Sequence, residues 1–84
     1  MTVWKLQLNS LAGFRTILRL YETLNLAKQD FTARYADTYM LNPNRAQTAW
    51  ADYGDYSLIP NYFLNSTFNI STVEIESEQV VTES

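Results

Sequence analysis

Residues 11–41 read LAGFRTILRLYETLNLAKQDFTARYADTYML, with no proline and one glycine, Gly13. How this stretch is read decides the fold. Leu11, Phe14, Ile17, Leu18, Tyr21, Leu24, Ala27, Phe31 and Tyr35 recur at three- and four-residue steps. That spacing puts them on one face of a helix. Asp30 and Arg34 are four apart and Arg34 and Asp37 three apart, which suits paired charges on the solvent side. The pattern predicts a long amphipathic helix over 11–41, capped by Asn9 or Ser10. Leu26 falls among Arg15, Arg19 and Glu22 on the polar side and is a candidate contact residue.

The length of such a helix creates a conflict. At roughly 1.5 Å per residue it would span about 45 Å. A globule of this chain length has a diameter of about 30 Å. The spacing therefore predicts a break near residues 25–30, or an elongated molecule whose apolar stripe a second copy or another protein must complete.

Outward from this stretch the signals are shorter. TVWKLQL (2–8) alternates, with Trp4, Leu6 and Leu8 on one side and Val3, Lys5 and Gln7 on the other, and reads as a half-buried strand. Asn42 before Pro43 ends one helix and caps another. Ala46, Trp50 and Tyr53 share the face of a short helix over 43–53, with Gly54 as its C-terminal cap. Residues 55–66 read as a loop. TFNISTVEIES (67–77) alternates again, but Phe68 and Ile70 have the opposite parity to Val73 and Ile75, which predicts a bulge or break near Ser71–Thr72. The expected fold is α+β: an N-terminal strand, a long helix, a short helix and C-terminal strand(s), with the terminal strands paired. Residues 1–76 form a single small domain, and 77–84 an acidic tail or added strand.

Composition narrows the function. The 84 residues include neither cysteine nor histidine. Disulfides, thiolate ligands, the commonest general base and the commonest metal ligand are absent together. Asp52 and Asp55 are the only close carboxylate pair outside the C-terminal segment, and a solvated helix end explains them better than acid–base chemistry does. With two glycines in all there is no phosphate-binding loop. The sequence thus points away from an enzyme, with no cofactor and no metal. No apolar run approaches the roughly 18 residues of a membrane span. MTVWKLQLNSL lacks a signal-peptide core, so the expected location is the cytoplasm or a virus particle, without export by a signal peptide.

Charge is distributed unevenly. Residues 1–45 hold six basic and three acidic groups, a balance of +3; residues 46–84 hold six acids and no base, a balance of −6. Two arginines on one helical face are too few for direct nucleic-acid binding. WADYGDYSLIPNYFLNSTFNI (50–70) carries six aromatic side chains. Trp50, Tyr53 and Phe68 are expected in the core. Tyr56, Tyr62 and Phe63 lie among turn residues and are candidates for partner contact. Glu74, Glu76 and Glu78 alternate, line one face of a strand and complete the candidate set. The resulting expectation is a small non-catalytic structural or accessory protein that binds other proteins or copies of itself within a larger assembly, such as a virus particle. The alternative is a small acidic inhibitor that masks a basic surface of an enzyme or DNA-binding protein.

Overall fold

A hairpin and a helix share the stretch that reads as one helix. In the computed structural model, which describes residues 1–81, strand β1 (Thr2–Ser10) turns back through residues 11–14 into strand β2 (Arg15–Tyr21). Helix α1 begins only at Leu24 and runs to Arg34, followed by the single turn α2 (Ala36–Tyr39). The hairpin turn is held by the Ser10 amide on the Phe14 carbonyl (2.7 Å) and the Phe14 amide on the Ser10 hydroxyl (2.9 Å). Gly13 sits at φ 92°, a conformation that side chains with a Cβ disfavour. Thr23 supplies the helix cap, its hydroxyl accepting from the Leu26 amide at 3.1 Å.

The other differences follow from the same competition between local pattern and sheet formation. In place of a helix over 43–53 there is a 3-10 turn at Pro43–Arg45, capped by Asn42, and then the two-residue strand β3 (Ala51–Asp52). Gly54, at φ 80°, serves the β3–β4 turn and caps no helix. The expected loop contains strand β4 (Tyr56–Pro60) and a 3-10 turn at Asn61–Phe63; a further 3-10 turn follows at Ser66–Phe68. Strand β5 runs from Ile70 to Gln79, so Ser77–Gln79 of the expected tail belong to the sheet. Residues 82–84 of that tail lie outside the described residues.

The class is α+β, with five strands in the order β2-β1-β5-β4-β3 and every pairing antiparallel. The terminal strands do pair: Leu6 lies opposite Ile75 and Leu8 opposite Val73. The register shifts between Asn9–Thr72 and Ser10–Ile70, so Ser71 is an extra residue in β5, a bulge where the parity change predicts one. The Ser71 hydroxyl donates to the Asn9 carbonyl at 2.9 Å.

Both helices lie on one side of the sheet. Leu6, Ile59, Val73 and Ile75 point to that side and are fully buried with Ala27 and Phe31, which are one turn apart on α1. Trp50 closes the end of this core, its ring edge-on to Phe31 at 5.5 Å. Tyr53 and Phe68, expected inside, are largely exposed: Tyr53 stacks on Tyr56 and Phe68 meets the edge of Tyr39. The expected stripe is split accordingly. Leu18, Tyr21, Leu24, Ala27, Phe31 and Tyr35 join the core, whereas Leu11, Phe14 and Ile17 stay exposed on the hairpin. An eleven-residue helix raises no conflict of length; the radius of gyration of 12.8 Å is close to that of a compact chain, and the molecule measures 45 Å along its longest axis against 26 and 22 Å across it.

Two polar clusters fasten the layers. The Tyr21 hydroxyl donates to Asp30, which also accepts from Arg34 Nε at 2.6 Å. Burial alone would raise the Asp30 carboxyl, but these two donors outweigh it and hold the group below the usual carboxylate range. Burial, followed by the Asp30 hydrogen bond, pushes the Tyr21 phenol up. In the second cluster Lys28 reaches Asp52 at 2.7 Å, and the buried Ser57 hydroxyl donates to the same oxygen. Lys28 first, then Ser57, keeps Asp52 acidic.

Candidate functional site

The helices leave the second face of the sheet open. Side chains alternate along a strand, so Val3, Lys5 and Gln7 point away from the Leu6 side. Their partners on β5 are Glu78, Glu76 and Glu74, and next along are Tyr56 opposite Glu76 and Leu58 opposite Glu74 on β4. On the other flank β2 contributes Leu20 opposite Lys5 and Ile17 opposite Gln7. Ile17 and Leu20 are three residues apart yet share this face. The register shifts between Leu6–Arg19 and Gln7–Ile17, and Leu18 is the extra residue of a second bulge.

The centre of the open face is a polar ladder. Gln7 Nε2 donates to Glu74 Oε1 at 2.6 Å, and Asn9 Nδ2 to Thr72 Oγ1 at 2.9 Å. Gln7 is fully buried between its cross-strand neighbours, and its Oε1 has no hydrogen-bond partner among the described residues. Lys5 Nζ lies 4.0 Å from Glu76 and 3.7 Å from Glu78. One lysine therefore stands against three carboxylates, and the row keeps a net negative charge. Beside it Tyr53 and Tyr56 stack with ring centroids 5.1 Å apart. The opposite flank is apolar: Ile17 and Leu20 are 52% and 55% exposed. An open hollow of about 420 Å³ is lined there by Met1, Thr2, Val3, Leu20, Tyr21 and Glu22.

The sequence candidates divide among three places. Glu74, Glu76, Glu78 and Tyr56 come together on the open face. Leu26 is exposed in the first turn of α1, on the helical side. Tyr62 and Phe63 sit in the 3-10 turn after β4. Tyr62 is 72% exposed, whereas Phe63 packs against the core under the Arg45 guanidinium, 5.9 Å from its ring centre. Leu26 and Phe63 thus lie with the helices and the core, away from the side of the sheet that carries the carboxylate row. The residues missed are Val3, Ile17 and Leu20, the last two because they read as parts of a helix. The signal that marks them is local: Gly13 in a turn, followed by RTILRLY, whose Thr16 and Ile17 are β-branched and suit a strand.

Among the described residues no group of three or more acidic side chains is placed to hold a metal ion, and no helix is long and apolar enough to cross a membrane. Compared with family models, with curated proteins and with solved structures, the chain finds no match.

Proposed function

We propose that the protein is a small non-catalytic structural or accessory component that binds other proteins through the open face of its sheet, as part of a larger assembly. One observation carries this reading: the helices cover one side of a five-stranded sheet, and the uncovered side presents a carboxylate row between two strips of aromatic and aliphatic side chains. A half-covered sheet of this kind gains by meeting a second surface, because exposed apolar side chains leave water when it docks. The row of Glu74, Glu76 and Glu78 selects for a partner with basic groups opposite β5, and Tyr56 beside it supplies a flat apolar contact.

The same row favours a second reading, a small inhibitor that masks a basic surface of an enzyme or DNA-binding protein. Successive carboxylates stand about 7 Å apart along β5, a spacing that a row of lysines or arginines can answer. The two readings differ in the isolated protein: an assembly component associates with itself or with its assembly, and an inhibitor is a monomer until its target is added.

Affinity capture from the native source, run side by side with wild type and a Glu74→Gln, Glu76→Gln, Glu78→Gln variant, tests both. A specific partner is expected to be retained by wild type, weakened by salt and lost from the variant. Retention indifferent to salt, to the glutamines and to Tyr56→Ala overturns the assignment of this face.

A further inference from the structure

We infer that the outer edge of β2 is a self-association surface, on which β2 of a second copy pairs antiparallel to form one continuous ten-stranded sheet. The inference rests on the reading of the chain as a protein-binding component and names one of its partners, a second copy of this chain.

Strand β2 is the long outer strand of the sheet; the other edge, β3, has two residues. The main-chain groups on its outer side have no strand beside them among the described residues. Edges of this kind are usually shortened or covered. Here the edge carries Ile17 and Leu20 on the open face, with Leu11 and Phe14 exposed at the turn that leads into it.

The strand is complementary to itself. Arg15 opens it and Glu22 follows it directly. Neither has an ion-pair partner within 4.0 Å among the described residues. Two β2 strands run antiparallel around a two-fold axis near Leu18–Arg19 would place Arg15 of each copy opposite Glu22 of the other, and Ile17 opposite Leu20. In a regular strand this register is forbidden, because residues three apart point to opposite faces. The Leu18 bulge removes the obstacle by putting Ile17 and Leu20 on one face. The partner's Ile17 then meets the hollow lined by Val3, Leu20 and Glu22, and its Arg15 meets the carboxylate at the rim of that hollow. Charge, apolar contact and register agree, and the two-fold closes the assembly at two copies. In the joined sheet the two carboxylate rows lie five strand spacings apart, about 24 Å, on either side of a shared apolar strip.

The chain has no cysteine, so introduced thiols report the register cleanly. Sedimentation at micromolar concentration is expected to show a species of twice the 9.7 kDa chain mass. Arg15→Glu or Glu22→Arg alone is expected to weaken the dimer at least tenfold, and the two together to restore it. These residues are exposed, and circular dichroism checks that each variant folds. An oxidised mixture of Ile17→Cys and Leu20→Cys chains is expected to give disulfide-linked pairs, and each chain alone is not. A chain that stays monomeric at about 100 µM overturns the inference, and it leaves the carboxylate row to its own capture test. A dimer indifferent to the charge reversals overturns it as well, because the copies then meet elsewhere. So does efficient linkage of the Ile17→Cys chain to itself, which places the two-fold axis at a different register.

Discussion

Replacing Tyr21 by phenylalanine tests whether the chain turns back at Gly13 as described. In one continuous helix Tyr21 and Asp30, nine residues apart, would be separated by about 13 Å along the axis, and loss of the hydroxyl would cost nothing. In the folded chain the Tyr21 hydroxyl donates to Asp30, joining β2 to α1. A hydrogen bond to a charged group contributes about 1.5–3 kcal/mol. Asp30 keeps 19% of its side-chain exposure, so water partly replaces the lost donor, and about 1–2 kcal/mol is a fair expectation at pH 7. For a domain of this size that lowers Tm by roughly 4–16 °C.

The pH dependence gives the reasoning a sign that can be checked. The Asp30 carboxyl is held low in the fold, so its contribution is complete above the unfolded value of about 3.9 and is lost as pH falls through the native value. The Tyr21 phenol is pushed up, so its contribution is complete below about pH 10 and fades above it, when the unfolded phenol ionises first. The gap between wild type and Tyr21→Phe is therefore expected to be flat from about pH 5 to 9 and to narrow at both ends. Thermal and urea melts followed by circular dichroism at pH 3, 7 and 10.5 measure it. A Tyr21→Phe protein within about 0.3 kcal/mol of wild type at pH 7 refutes the contact. A gap that persists unchanged at pH 3 refutes its charged character.

Two further substitutions probe the packing. Phe31→Ala empties the largest fully buried position, beside Trp50, and is expected to cost about 3–5 kcal/mol in urea unfolding; a loss under about 1 kcal/mol would mean that α1 is not seated on the sheet. Asn69 has a left-handed backbone at φ 52°, so Asn69→Ala is expected to lower stability by about 1 kcal/mol while Asn69→Gly changes it little, and equal melting of the two would contradict that conformation.

The class, the N-terminal strand, its pairing with the C-terminal strand and the Ser71 bulge were legible because a period of two leaves few alternatives. Residues 11–21 misled for a physical reason. Leu11, Phe14, Ile17, Leu18 and Tyr21 recur at three- and four-residue steps, a spacing that belongs to helices in regular structure. Here a turn separates Leu11 from Phe14, and the bulge at Leu18 adds one residue to the two-residue period of β2. Apolar spacing alone cannot separate a bulged strand from a helix, and Gly13 was the one residue that argued for the turn. Strand β4 was hidden by Pro60, which ends it, and by the turn residues around it. Of the candidate site, the carboxylate row was legible from alternation alone. Its apolar flank was not, since no local signal tells which side of a sheet the helices will cover.

The bipolar charge of the sequence resolves into two populations in the fold. Part of it mixes: Lys28 from the basic half meets Asp52 of the acidic half, and Lys5 meets Glu76 and Glu78. These contacts join β1 to β5 and α1 to β3, so the asymmetry along the chain serves partly to match distant segments. The rest stays separate. Arg19, opposite Leu6, points to the helix side, where its charge acts on Asp30; Arg15, opposite Asn9 on the open face, has no carboxylate within 4.0 Å among the described residues, and the row on β5 carries more acids than Lys5 can offset. Only β1 lies between them, about 10 Å from strand β2 to strand β5. That separation is near the screening length at physiological salt. Arg15 and the acidic row therefore act on an approaching surface as distinct charges, and a partner that meets both must present an acid beside its bases. In the proposed dimer Glu22 of the second copy answers Arg15, and the acidic row remains open for a different partner.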